Sequence, residues 1–555
     1  MLLIGIDGAD YRITRWLMQQ GCLPNLAELA RRGAWGPTRS TVPPVTPPAW
    51  TTIMTGKNPG KHGVFDFLAM NGAERAVPVA ARRRAATLFR GLSDMGYRVG
   101  TFNLPVTYPP EPLSAFQVAG FTAPQFSPAI AWPERAFELL RDAPADFASL
   151  LELTAPGRDE RQELQRRAEL VTLGTRLLLE HFPCDVYMTN FQVVDWAHHH
   201  ALAREMTPGK PESLDLRGLV AHAYRAVDEQ IGIILDEWAS EGTYVMVVSD
   251  HGGALVDRVV NIEKLFLEAG LLAYKPADAE RAVAIGRGRA RARTAVGLWR
   301  WYKEAMPTFA RLTAPVARGL RPYVTSYQKS LVVDWSCTRA APWGLYGQVR
   351  FNVAGRDAEG IVRPDEVGAL RTQVRELLLS VTDPVDGRPV YDEVLDGSQI
   401  YTGAYVAEGP DLVALAREER YLTVCGRMLE GDALPLIDVQ EQIVAAVESR
   451  CDFHSYEAVF CVAGPGIEAG KCLPEHRLED LAPTVLCLLG EGVPSDMDGR
   501  PILEAMSEEL RKHKQVRFVA PWPALGDGEQ GTPHGVYTEA EREAMEERLR
   551  GLGYL

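Results

Sequence analysis

Nowhere does the chain hold the ~18 consecutive apolar residues that a helix needs to cross a bilayer. Its opening, MLLIGIDGAD, has an apolar stretch of about six residues with no basic flank and no cleavage site, so it does not read as a secretory signal. Cysteine is sparse and scattered: Cys22, Cys184, Cys337, Cys425, Cys451, Cys461, Cys472 and Cys487 form no C-x-x-C pair. That spread argues against a disulfide framework or a cysteine zinc site and fits reduced thiols, so the expected compartment is the cytoplasm. Positive charge is in deficit, with a net −14, which argues against non-specific nucleic-acid binding by the protein as a whole. Missing too are a G-x-S-x-G elbow, a G-x-G-x-x-G turn after a strand and an H-E-x-x-H helix. GKNPGKH is not a phosphate loop, because its glycines stand one residue too close and His62 replaces the Ser or Thr.

Strand-like runs are present, and they alternate with helical patterns. LLIGI, YRVGTFNL, DVYMTNF and TYVMVVS are short apolar or β-branched runs, separated by helical stretches such as ERQELQRRAELVTLGTRLLLEHF and LRGLVAHAYRAVDEQIGIILDEWA. The alternation predicts an α/β fold: a mostly parallel central sheet with helices on both faces. Residues 1–260 form the first part of that core, 261–400 an inserted cap, 401–515 the remainder of the core, and 516–555 a tail with a surface helix. AVFCVAGPGI and LEDLAPTVLCLLG belong to the returning core.

Ligands of open α/β sheets bind beyond the carboxyl ends of the strands, and metal-capable residues stand there. Asp7 ends the first strand, Asp195 follows DVYMTNF, Asp250 and His251 end TYVMVVS in the sequence SDHGG, and His454 precedes AVFCVAGPGI. The two glycines of SDHGG are expected to let the backbone turn sharply. In VVDWAHHHAL, Asp195 and His199 are four apart and share a helical face, while His198 and His200 point about 100° to either side. His199 is therefore the expected ligand of the three. Three aspartates and three histidines suffice for two divalent cations, and the imidazoles favour zinc or manganese over magnesium. Thr46, set between prolines, is expected to open the helix PPAWTTIM, where backbone N–H groups and the dipole favour an anion, or else simply to cap it.

The order GIDG-Asp, T-P-P-A-W-x-x-x-x-T-G-x-x-P-x-x-H-G, D-x-x-x-H, S-D-H-G and a late His before G-P-G-I resembles the alkaline phosphatase superfamily, in particular its type I phosphodiesterase / nucleotide pyrophosphatase branch. The resemblance covers roughly residues 1 to 120, 180 to 260 and 400 to 500. It implies one metal site of Asp7, Thr46, Asp250 and His251, a second of Asp195, His199 and His454, and Thr46 as the nucleophile. Two departures accompany it. Asp66 and Phe67 stand where nucleotide pyrophosphatases place an Asn that holds a phosphate oxygen, and the usual H-G-Y segment of the last histidine ligand is missing, leaving His454, with His534 as the alternative.

The expected activity is that of a two-metal phosphoester hydrolase, foremost a phosphodiesterase, with zinc preferred and manganese as the alternative. A phosphomonoesterase or phosphotransferase on the same core competes with it, and so does an inactive relative that binds a phosphorylated ligand. Residues 281–330 hold nine Arg, two Lys and one Glu, and the cluster Arg287, Arg289, Arg291 and Arg293 precedes Trp299, Trp301 and Tyr302. Such a segment suits a small phosphorylated substrate, an anionic membrane surface or plain solvent.

Overall fold

The computed structural model describes the chain except residues 68, 72–73, 77–82, 153–158, 276–332, 425–442, 524–536, 539–540, 543, 546–547 and 549–555. Five strands run parallel at the centre of a 10-stranded sheet: β1 (Leu2–Ile6), β2 (Val99–Leu104), β3 (Phe116–Ala119), β4 (Val186–Phe191) and β5 (Val245–Val248), in the spatial order β5-β1-β4-β2-β3. Val, Ile, Leu and Phe dominate these strands, as strands buried on both faces require. The next strand that this sheet takes up after β5 is Glu457–Ala463, which pairs antiparallel with both β5 and Ala34–Arg39.

Side chains alternate between the faces. Leu2, Ile4 and Ile6 enter one apolar core with residues of the helices α2 (Glu160–His181), α3 (Val193–Glu205) and α4 (Leu219–Trp238). Leu3 enters a second core with residues of α1 (Thr46–Thr55) and α5 (Leu481–Leu489). Asp7 leaves β1 at the carboxyl edge of the parallel strands.

A third apolar core, built from residues such as Phe266, Phe351, Val374 and Leu412, belongs to two smaller sheets formed within residues 252–455. One of them pairs Gly252–Asn261 antiparallel with Val444–Ser455, in the register Gly253 to His454. The basic cluster at 287–293, Trp299, Trp301, Tyr302 and His534 lie outside the described residues. The six described cysteines are free, and no described helix is long and apolar enough to cross a membrane.

Candidate active site

Asp7, Thr46, Asp195, His199, Asp250, His251 and His454 converge at this carboxyl edge. Asp7 follows β1 directly, and Gly8 beside it has φ +74°, where a Cβ would meet the Asp195 backbone at 2.8 Å. Glycine is required there because the start of α3 closes on the turn, with the Asp195 N–H donating to the Asp7 carbonyl at 3.1 Å. Asp250 and His251 follow β5. His454 arrives from Val444–Ser455, carried in by its pairing with the strand that begins at Gly252.

Distances divide the cluster around His251. One carboxylate oxygen or ring nitrogen from each of Asp7, Asp250 and His251 lies within 4.8 Å of the others, and the same holds for Asp195, His251 and His454. His199 completes the second group: its Nε2 is 3.4 Å from Asp195 Oδ1 and 3.2 Å from His454 Nε2. The rings of His251 and His454 stack at 3.5 Å.

The donor set fits cations. His251 Nδ1 donates to the Gly252 carbonyl at 3.1 Å, and His454 Nδ1 donates to the Pro44 carbonyl at 2.8 Å. The bond of His251, a neutral imidazole, leaves its Nε2 as a lone pair aimed inward, while His454 Nε2 lies 3.5 Å from Asp195 Oδ1. His251 Nε2 then faces Asp250 Oδ2 at 3.2 Å and Asp7 Oδ1 at 3.7 Å, and both oxygens are buried without a hydrogen-bond partner. Lone pairs aimed at lone pairs in a buried space repel unless a metal cation or a proton stands between them. The remaining oxygens are occupied: Trp50 Nε1 donates to Asp7 Oδ2 at 3.0 Å, and the Gly8 N–H to Asp250 Oδ1 at 3.2 Å.

Electrostatics agree with this fit. Burial, then the charges of Asp250 and Asp195, push the Asp7 carboxyl well above its usual range, and burial followed by Asp195 does the same to Asp250. Burial and the neighbouring His454 push His251 well below the usual imidazole value, so it is a neutral lone-pair donor. Burial acts to raise Asp195 as well, yet His199, His454 and His251 around it hold it low.

Thr46 is the first residue of α1. Val45 is the N-cap, and the helix has no side-chain cap bond; the Thr46 hydroxyl instead lies 3.2 Å from His251 Nε2. The expectation of a Thr46 cap is thereby corrected. So is that of several backbone donors, since Pro47 and Pro48 carry no N–H and only that of Thr46 is free to face an anion in the first turn. The glycines of SDHGG also serve differently than expected. Neither has a positive φ; they open a strand, where a Cβ on Gly252 would meet Ser455 Oγ at 2.3 Å and one on Gly253 would meet His198 Nδ1 at 2.4 Å.

The three consecutive histidines separate by face. His199 joins the cluster, His198 is buried near the Tyr224 ring at 5.7 Å, and His200 stacks on Trp196 at 4.1 Å. A pocket opens over Asp7, Thr46 and Asp195, with Phe67, Asn103, Phe121 and Trp196 among its walls. Phe67 faces it, while Asp66 turns away and accepts from Gln348 Nε2 at 2.7 Å, tying the loop to the inserted sheet. Asn103 and Phe121 were not singled out in the sequence. Asn103 lies at the carboxyl end of the strand-like YRVGTFNL, a position that alone would have marked it. Phe121 carried no such signal.

Residues 1–428 match the profile of the type I phosphodiesterase / nucleotide pyrophosphatase family. Among solved structures, the chain is similar to phosphonoacetate hydrolase from Sinorhizobium meliloti 1021, with 15% identity over 87% of this chain and 93% of that one and a TM-score of 0.47. Murine ectonucleotide pyrophosphatase / phosphodiesterase 5 is similar at 10% identity, over 91% of this chain and 100% of that one, with a TM-score of 0.49. For its human counterpart the values are 11%, 91%, 98% and 0.47.

Proposed function

The chain belongs to the type I phosphodiesterase / nucleotide pyrophosphatase family and is a metal-dependent phosphoesterase of it; from that premise we propose that it hydrolyses phosphodiesters by attack of Thr46 on phosphorus. The observation that carries the reading is the Thr46 hydroxyl, 3.2 Å from the bare Nε2 of His251 and in one pocket with Asp7 and Asp195. Asp7, Asp250, His251 and Thr46 would hold one divalent cation, and Asp195, His199 and His454 a second, zinc before manganese because half the non-hydroxyl ligands are imidazoles. Such cations supply a lowered hydroxyl pKa and neutralise charge on the phosphoryl and leaving oxygens.

Thr46 Oγ forms a bond to phosphorus as the bond to the leaving alcohol breaks, and the hydroxyl proton departs with that alcohol. Water then breaks the Oγ–phosphorus bond, releases the phosphomonoester and restores the threonine hydroxyl. The start of α1 directs its positive dipole end and the Thr46 N–H toward the phosphoryl oxygens. A small phosphorylated substrate suits an acidic chain better than nucleic acid does. Six free cysteines support a cytoplasmic setting. The basic segment 281–330 remains a proposed peripheral contact with anionic lipid.

The test pairs metal content by elemental mass spectrometry with turnover of 4-nitrophenyl phosphodiesters and of 4-nitrophenyl phosphate. About two zinc or manganese ions per chain, with faster diester than monoester turnover, is the expected result. Metal binding without turnover of either ester would refute the hydrolase mechanism.

A further inference from the structure

The pocket over Thr46 also reaches Arg167 of α2. That side chain is only 8% exposed, yet its guanidinium is incompletely used. Nε donates to Glu163 Oε1 at 2.9 Å, and Nη1 donates to the Glu152 carbonyl. Nη2 is buried and has no partner among the described residues. An unpaired donor on a buried charge is costly and awaits an acceptor. Glu163 does not neutralise the site, because it is shared with Arg166, whose Nη2 approaches it at 2.6 Å. Two guanidinium groups share that one carboxylate; Asp146 approaches Arg166 at 3.9 Å, and Glu152, which also lines the pocket, acts on Arg166 through its charge. The pocket that holds Arg167 and Thr46 has Phe67, Phe121, Val171 and Trp196 as its large apolar walls, with Asn103, Gln192 and Glu152 as polar ones.

We propose that Arg167 binds an anionic group at the end of the substrate remote from the reacting phosphorus, so that the substrate is a phosphodiester whose apolar body ends in a carboxylate or a second phosphate. This rests on the phosphodiesterase reading. The guanidinium offers that anion a charge-assisted hydrogen bond, and the apolar walls hold the part between.

The test uses two 4-nitrophenyl phosphodiesters, one with 4-carboxybenzyl and one with 4-methylbenzyl as the second alcohol, with a third bearing a 4-phosphonobenzyl group to compare the two anion classes. For the wild type, kcat/KM should favour either anionic ester over the methyl ester by about ten- to a hundredfold, and this ratio should collapse in Arg167→Gln while Arg167→Lys keeps part of it. Calorimetric binding of the matching phosphonate analogues, which cannot be hydrolysed, should show the same ratio in Kd. A wild type that binds methyl and anionic analogues equally overturns the proposal without need of any variant, as does an Arg167→Gln protein that keeps the preference. Preferential binding of the anionic analogues without turnover of any ester would instead sink the hydrolase reading and leave Arg167 as an anion site.

Discussion

Replacing Asp250 by Asn should make the metal-free protein more stable and the metal-supplemented protein less so. In the wild type, at a pH above the raised value of its carboxyl, ionised Asp250 Oδ2 faces the Nε2 lone pair of His251 at 3.2 Å with no hydrogen between them. The Gly8 N–H fixes the orientation by donating to Oδ1 at 3.2 Å, so the side-chain amide introduced by Asp250→Asn would turn its NH2 toward His251. Repulsion becomes a hydrogen bond, and one of three crowded carboxylate charges disappears, a gain of about 1–3 kcal/mol. At roughly 2.1 cal/mol/K per residue, 555 residues unfold with about 1.2 kcal/mol/K, so Tm in chelator should rise by about 1–2.5 °C. Metal should act oppositely. Two sites at about 100 times their Kd contribute roughly 2.7 kcal/mol each, near 5 °C for the wild type. The variant presents N–H groups where an oxygen stood and should lose most of that shift. Thermal unfolding of both proteins, in chelator and in added zinc or manganese, reads all four values. A variant that gains as much from metal as the wild type, or a wild type unmoved by metal, would refute the ligand geometry drawn here.

Thr46→Ala should lower turnover by roughly a thousandfold or more while keeping bound metal and folding, since Thr46 makes no cap bond, and Thr46→Ser should retain part of the rate; steady-state kinetics and metal content check this. Of the three consecutive histidines, only His199→Ala should reduce metal content directly, whereas His198→Ala leaves a void and should cost about 1–3 kcal/mol in denaturant unfolding, and His200→Ala should do neither. In chelator, stability should fall as pH rises above about 6.5: buried Asp7 and Asp250 hold protons that the unfolded chain has released, whereas the depressed His251 opposes that trend only below its usual 6.5. Asp250→Asn should flatten that slope, as denaturant titrations across pH 6.5 to 9 will show.

Several of these features were legible because they depend on neighbours in the chain. D-x-x-x-H marks one helical face wherever a helix forms, and α3 does form there. Thr46 before two prolines marks a helix start, since proline is tolerated only in the first turn. Asp7 and Asp250 end strands because an apolar run stops at each. The prolines also carried a consequence that was overlooked, the loss of two backbone donors. SDHGG misled in another way: its glycines answer close approach by Ser455 and His198, partners hundreds and tens of residues away in the chain.

The sequence by itself determined which residue types were available and which of them share a local face, because helix period and strand ends are short-range properties. Only the tertiary structure decided that His251 stands within reach of both ligand groups, that the Pro44 carbonyl holds the His454 ring in place, and that Arg167 shares a pocket with Thr46. Those facts follow from strand order and from the pairing of Gly253 with His454. Most of them are set by burial and by contacts between distant parts of the chain, up to the 410 residues that separate Pro44 from His454, which no local spacing encodes.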